Sequence, residues 1–169
     1  MDKAGLLESL KEEINQKYGE EKAWFFPEYS GVKGFLGAQD IMFVGLNPST
    51  GHFPSIYDKF FYKTLKENSF ENAHITDAIK LKMPNKNVPA FVKNKDLLTE
   101  QFVYLDKEIK IIAPKMIIAM GNSCYNLLKE HYNSKILKID HYHFPKRFGK
   151  ENKYDSQMKA IKELYLKSK

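Results

Sequence analysis

The chain has 169 residues, 43% of them hydrophobic and 28% charged, which fits one globular domain and excludes a disordered or membrane-type composition. Lysine and arginine number 27 against 21 aspartates and glutamates, a net charge of +6, so an acidic partner such as nucleic acid is compatible with the chain without being required. A single cysteine, Cys124, excludes an intrachain disulfide framework and a cysteine-ligated zinc or iron–sulfur site built from this chain alone.

Residues 4–18 place Leu6, Leu7, Leu10 and Ile14 on one helix face, and Tyr18-Gly19 ends that pattern. An aromatic loop, Trp24-Phe25-Phe26-Pro27, leads into irregular chain punctuated by Gly31, Gly34 and Gly37. The continuous apolar run Ile41-Met42-Phe43-Val44 reads as a strand buried on both faces, as in parallel sheets covered by helices. The loop Gly45–Gly51 follows it directly, and a helix is expected from near Asp58 through Lys66. His74-Ile75-Thr76 reads as a second strand, and residues 83–95, rich in proline and asparagine, as a loop. Leu97, Leu98, Phe102, Leu105, Ile109 and Ile112 give a clear helical period that Pro114 stops. Residues 116–120 form a third buried strand, after which Gly121-Asn122-Ser123 turns the chain and caps a helix carrying Tyr125, Leu127 and Leu128. Residues 136–139 form a fourth strand and run into a polar loop over 140–147. A final helix is expected over about 154–166.

Strands alternating with helices predict a three-layer α/β/α sandwich around a central four-stranded, mainly parallel sheet. There is no internal repeat and no linker, so residues 1–169 read as one domain, with 1–37 a helical and aromatic extension packed on it. The role of that extension is open; its Trp24-Phe25-Phe26 cluster is expected at least to cover the sheet. Ligands bind such sheets at the carboxyl ends of the strands. The loops there hold Asn47, Asp77, Asn122 and His141 or His143, four polar positions able to converge at one sheet edge.

Each motif has a plainer alternative. Asn47-Pro48 alone is a common turn pair, and Gly45 lacks the spacing to Gly-Lys-Ser/Thr of a phosphate-binding loop. His141 and His143 could share a face as a metal pair, but no third ligand lies near in sequence, so no metal is expected. No Gly-x-Ser-x-Gly elbow marks a serine hydrolase. Cys124 sits at a helix start that would favour a thiolate, yet among apolar neighbours, where core packing is the simpler role.

Taken together, the motifs resemble the uracil-DNA glycosylase superfamily from about residue 38 to the C-terminus. Gly45-Leu46-Asn47-Pro48-Ser49 is similar to its first motif, in the Gly-x-Asn-Pro-Gly form of the mismatch-specific and single-strand-selective branches. Residues 58–65 resemble the helix that follows it in the mismatch-specific branch. His74-Ile75-Thr76-Asp77-Ala78-Ile79-Lys80 resembles the middle motif, Ile-Thr-Asn-x-x-Lys. Residues 112–121 resemble the Pro-Lys-x-Ile-x-x-x-Gly strand, and the loop from His141 stands where the family carries His-Pro-Ser. Each motif is short; their order and their positions after successive strands carry the likeness.

The resemblance implies a monofunctional DNA glycosylase that takes a base out of the stack and hydrolyses its bond to deoxyribose, without a cofactor. It implies that Asn47 orients the attacking water and that His141, with His143 as the alternative, donates a hydrogen bond to the leaving base. Gly45, Leu46, Pro48, Ser49, Asp77 and Asn122 would surround the base, and Phe53 would stack on it or simply cover the core. Phe144, Arg147 and Phe148 stand on the loop that probes the duplex in this superfamily. Lys80, Lys82, Lys86 and Lys146 would line the phosphate track. DNA is the implied partner, with the protein acting as a monomer.

Two departures from the family stand out. Asp77 occupies a position that is asparagine in uracil-reading branches, and an ionised carboxylate offers acceptors only, which would face uracil O4 unfavourably. Either it is protonated in a dry pocket, or the preferred base presents donors, or it reads no base. The iron–sulfur branches use four cysteines, so this chain would carry no cluster. Two other classes stay open: a catalytically silent nucleic-acid-binding protein on the same fold, and a hydrolase of free nucleosides or nucleotides. No run of 18 apolar residues and no basic-then-apolar start suggest a membrane segment or export signal, which with one cysteine points to the cytoplasm.

Overall fold

The computed structural model describes residues 2–168. Four strands, β1 (Gln39–Gly45), β2 (Ala73–Asp77), β3 (Met116–Met120) and β4 (Ile136–Ile139), form one sheet in the order β2-β1-β3-β4. Every pairing is parallel, with Gly45 opposite Asp77, Val44 opposite Ala119 and Met120 opposite Ile139. Among the described residues seven α-helices surround it: α1 (Lys3–Tyr18), α2 (Ile56–Glu67), α3 (Val88–Lys93), α4 (Lys95–Ile112), α5 (Asn122–His131), α6 (His143–Phe148) and α7 (Glu151–Lys167). The three-layer α/β/α sandwich is therefore present, with a sheet that is wholly parallel.

The apolar run of β1 builds both interfaces. Successive strand side chains point to opposite faces. Ile41 and Phe43 join α2 and α7 through Phe61, Leu65, Tyr154, Met158 and Ile161, while Met42 and Val44 join α4 and α5 through Phe102, Leu105, Leu127 and Leu128. Ile41, Met42, Phe43 and Val44 are all buried, as a strand covered on both sides requires. From β1 the chain goes to β2 on one side, while β3 lies on the other. The strand order thus reverses at β1, and the carboxyl end of a reversal point is where parallel sheets leave a crevice.

Several boundaries differ from those expected from the sequence. Helix α2 begins at Ile56, capped by Ser55, whose hydroxyl accepts from the Asp58 N–H while Asp58 Oδ2 accepts from the Ser55 N–H, a reciprocal capping box. Residues 83–95 are not simply a loop: a 3₁₀ turn, Asn85–Asn87, leads into α3, with Pro89 in the first turn, where an N–H is not needed. The polar stretch 140–147 is also partly helical, because α6 starts at His143. Residues 121–123 turn the chain into α5, but no side chain caps that helix. Pro114 does end α4, through a left-handed Ala113.

The N-terminal segment is built into the fold. Ala23 forms an antiparallel bridge with Leu81, the Trp24 N–H donates to the Lys80 carbonyl at 2.9 Å, and the Lys82 N–H donates to the Lys22 carbonyl at 2.9 Å. The backbone around Trp24 is thereby tied to the loop leaving β2.

Candidate active site

A cavity of about 260 Å³ opens at the carboxyl ends of the strands. Asn47, Pro48 and Ser49 border it after β1, Asp77 at the end of β2, Met120 at the end of β3, and His141 to His143 after β4. Three of the four polar positions expected to converge do so: Asn47, Asp77 and the histidine loop. Asn122 does not. It is exposed, and its Oδ1 accepts from Lys138 Nζ at 2.7 Å, because α5 turns away from the sheet edge.

Asp77 is held in place from two sides. Gly45 faces it across the β1–β2 ladder, and a Cβ on Gly45 would fall 2.3 Å from Asp77 Oδ1, so only glycine leaves room for the carboxyl. The Ala78 and Ile79 N–H groups donate to the Gly45 and Leu46 carbonyls at 2.8 and 2.9 Å, clamping the end of β2 to the first loop. Gly45 and Leu46 therefore support the cavity rather than line it, since Leu46 packs into the core. Asp77 is buried, and its Oδ2 has no hydrogen-bond partner among the described residues. Burial raises its pKa, Lys80 lowers it and Glu108 raises it, leaving the carboxyl at about 7.

Lys80 is the largest correction to the sequence reading. It is fully buried and cannot serve a phosphate track. Its ammonium pairs with Glu108 Oε1 at 2.8 Å, donates to Thr76 Oγ1 at 2.9 Å and donates to the Asp77 carbonyl. Glu108 Oε2 lies 3.1 Å from His74 Nε2, whose ring Nδ1 lies 2.7 Å from the Phe35 carbonyl. Burial acts to raise the Glu108 pKa, but Lys80 and His74 outweigh it and hold the carboxylate low. A charge inside a protein is retained where such partners surround it. The network braces the strand end that carries Asp77.

The two histidines are placed differently. His141 Nδ1 accepts from the His143 backbone N–H at 3.3 Å, which puts the ring proton on Nε2. Its ring stacks on Tyr142, with centroids 4.5 Å apart, and Tyr142 stacks on Phe61 at 4.6 Å. Burial, with a contribution from His143, depresses the His141 pKa to about 4 against an opposing pull from Asp58, so the ring is neutral at physiological pH. His143 stacks on Tyr57 at 4.4 Å, and burial lowers its pKa as well. Gly121, at φ +93°, lets the end of β3 pass His141: a Cβ there would lie 3.3 Å from His141 Cβ.

Asn47 donates from Nδ2 to the Pro48 carbonyl at 3.0 Å, which leaves Oδ1 as the acceptor it offers to water. Phe53 borders the cavity and also packs against Trp24, Tyr29 and Tyr62, with centroids 5.5–6.1 Å apart. Beyond the cavity mouth, Phe144 and Phe148 are exposed on α6 and pack on each other at 5.0 Å. Arg147 lies over Phe148 and Lys150 over Phe144. Lys82 and Lys86 are exposed, and Lys146 forms a surface ion pair with Glu151 at 3.5 Å.

Reading the sequence missed Asp58, Trp24, Phe26, Tyr57 and Tyr142 as cavity residues. Asp58 had a signal, the Ser55-x-x-Asp58 capping box. Its second oxygen accepts from the Tyr142 hydroxyl at 3.2 Å and so ties α2 to the histidine loop. Trp24 had no signal, because its position depends on the docking of the N-terminal segment.

Cys124 is buried, and burial pushes its thiol well above the ordinary range, which leaves it a core residue. Among the described residues no group of three metal-ligating side chains occurs, and no helix is long and apolar enough to cross a membrane.

No curated protein matches this chain. The family model described as the Uracil DNA glycosylase superfamily matches residues 35–164, which include all four strands and every polar group placed above around the cavity. The chain belongs to the uracil DNA glycosylase superfamily.

Proposed function

We propose that the protein is a monofunctional DNA glycosylase that removes a deaminated or damaged base by hydrolysis. The observation that carries this reading is the meeting of Asn47, Asp77 and neutral His141, from three strand ends, around one cavity. Family membership supports glycosylase chemistry in general.

The base must leave the stack to enter such a cavity. The C1′–N bond then breaks with its electron pair going to the base. Water adds its oxygen to C1′ and its proton ends on the base. Asn47 is an amide and no base at neutral pH, so its work is to hold that water through Oδ1. His141 Nε2–H donates to a carbonyl oxygen of the base, where negative charge develops. A neutral donor keeps its proton there, and one such interaction is typically worth about 3 kcal/mol. Asp77 faces the base edge. Phe144, Phe148 and Arg147 form an exposed aromatic and cationic ridge suited to entering the duplex, with Lys82 and Lys86 contacting phosphates. On this reading the enzyme works as a cytoplasmic monomer without a cofactor.

The test is a panel of oligonucleotides carrying uracil, hypoxanthine, xanthine or alkylated bases, single-stranded and opposite each normal base. At least one should be converted to an abasic, alkali-labile product. Salt-dependent binding with no product from any of them would make the protein a silent nucleic-acid binder. Turnover of a free nucleoside instead would make it a nucleoside hydrolase.

A further inference from the structure

The cavity has a wall that the family-matched region does not supply. Trp24 lies outside residues 35–164, yet it borders the cavity beside Phe53, with ring centroids 6.1 Å apart, and meets Phe26 edge-on at 4.8 Å. Trp24 and Phe26 also border a second cleft, of about 410 Å³, whose lining includes the polar side chains of Lys11, Glu20 and Lys82. The two aromatic residues are shared by both spaces and so form the partition between them. The partition is anchored: the Trp24 N–H bonds the Lys80 carbonyl, three residues beyond Asp77, and Ala23 bridges Leu81. The backbone that carries the indole is thus tied to the loop leaving the strand that ends in Asp77.

We propose that Trp24 is the size-limiting wall of the base pocket, a specificity determinant contributed by the N-terminal segment. This rests on the glycosylase reading. Phe26 is buried and packed against Phe61, so it cannot retract, whereas Trp24 is only partly buried and is the element whose truncation opens the space. Removing the indole opens the cavity towards the neighbouring cleft and favours the larger base. Apolar walls discriminate by size on the scale of about 10- to 200-fold for a small group.

Trp24 is also the chain's only tryptophan, so fluorescence reports on this wall without any substitution. The experiment measures single-turnover cleavage of uracil and hypoxanthine oligonucleotides by wild type, Trp24→Ala and Trp24→Phe. In parallel, wild-type fluorescence and oligonucleotide anisotropy are followed with probes carrying 2′-fluoro-2′-deoxyuridine or 2′-fluoro-2′-deoxyinosine, whose fluorine opposes the sugar cation. The expected result is quenching by the uridine probe and a hypoxanthine-to-uracil rate ratio raised at least tenfold in Trp24→Ala, with Trp24→Phe between. An unchanged ratio, or anisotropy showing binding with no quenching, overturns the proposal. If wild type cleaves neither oligonucleotide, the glycosylase reading is decided separately by the full base panel, and the wall is judged on binding: quenching of wild type with a tenfold shift of relative affinity towards the inosine probe in Trp24→Ala supports it, and either result missing overturns it.

Discussion

Gly45 and Asp77 stand opposite one another at the ends of adjacent parallel strands, and the carboxyl of one occupies the space where the other would carry a Cβ. The backbone of Gly45 is not strained, so its glycine answers to contact alone. Gly45→Ala should therefore displace Asp77 rather than distort β1. We expect a stability loss of about 1–3 kcal/mol, as for an overpacked core, together with a loss of base discrimination. Urea unfolding alongside cleavage of the oligonucleotide panel checks both; normal discrimination in a folded variant would show that Asp77 does not read the base.

The buried carboxyl of Asp77 should make stability and, on the proposed reading, activity depend on pH. Its folded pKa, about 7, lies above its ordinary value of 3.8, so the folded state holds the extra proton between those limits. Stability from this group is fully present below about pH 4 and is lost as pH rises to 7, by up to about 4 kcal/mol. Asp77→Asn removes the dependence, so its stability relative to wild type should grow from pH 4 to pH 7 and then level off. A protonated carboxyl offers one donor and one acceptor, as an amide does, so wild-type activity on uracil should fall above pH 7 while Asp77→Asn holds its rate. Lys80, Glu108, Tyr62, Tyr142 and Cys124 all interact with this charge; its removal relaxes the upward push on the two tyrosines and the thiol, which burial still holds above their ordinary values. Thermal melts and initial rates between pH 4 and 9 measure the two effects.

His141 and His143 should separate in kinetics. With its ring proton on Nε2 and a pKa near 4, His141 stays a neutral donor down to about pH 4, so no acid loss of activity from it is expected above that point. His141→Ala should lower the single-turnover rate by about 100-fold or more at unchanged DNA affinity. His143→Ala keeps the backbone N–H that orients His141, so its effect should be smaller. Equal losses would place both imidazoles on the base.

Lys80 should prove a structural charge. Lys80→Met leaves Glu108 buried beside His74 without its ammonium partner, a loss of about 3–5 kcal/mol. Lys80→Met with Glu108→Leu should recover much of it, because the pair then leaves together. Denaturant unfolding measures the cycle, and the salt dependence of DNA binding should be the same in the folded double variant as in wild type, whereas Lys82→Ala should reduce it.

The layered fold and the first motif were legible because they are local. The apolar run Ile41–Val44 can be buried on both faces only in a covered parallel strand, and Pro114 cannot continue a helix. The meeting of Asn47, Asp77 and His141 at one sheet edge was legible because each lies at or just beyond the carboxyl end of a strand in one parallel sheet. Lys80 was not, since nothing in the spacing of a lysine reveals a buried glutamate 28 positions on.

The sequence by itself determined the four strands, the long helices and a mainly parallel sheet with polar groups at its edge, which follow from periodicity and from chain direction, whereas α3 and α6 read as loop. Only the tertiary structure decided which of those groups share a cavity. It turned Asn122 outward on α5, drew Lys80 inward to Glu108, set the His141 proton on Nε2 and brought Trp24 against Phe53. These outcomes depend on contacts between residues far apart in the chain, where burial and a distant partner, rather than local propensity, decide the state of a side chain.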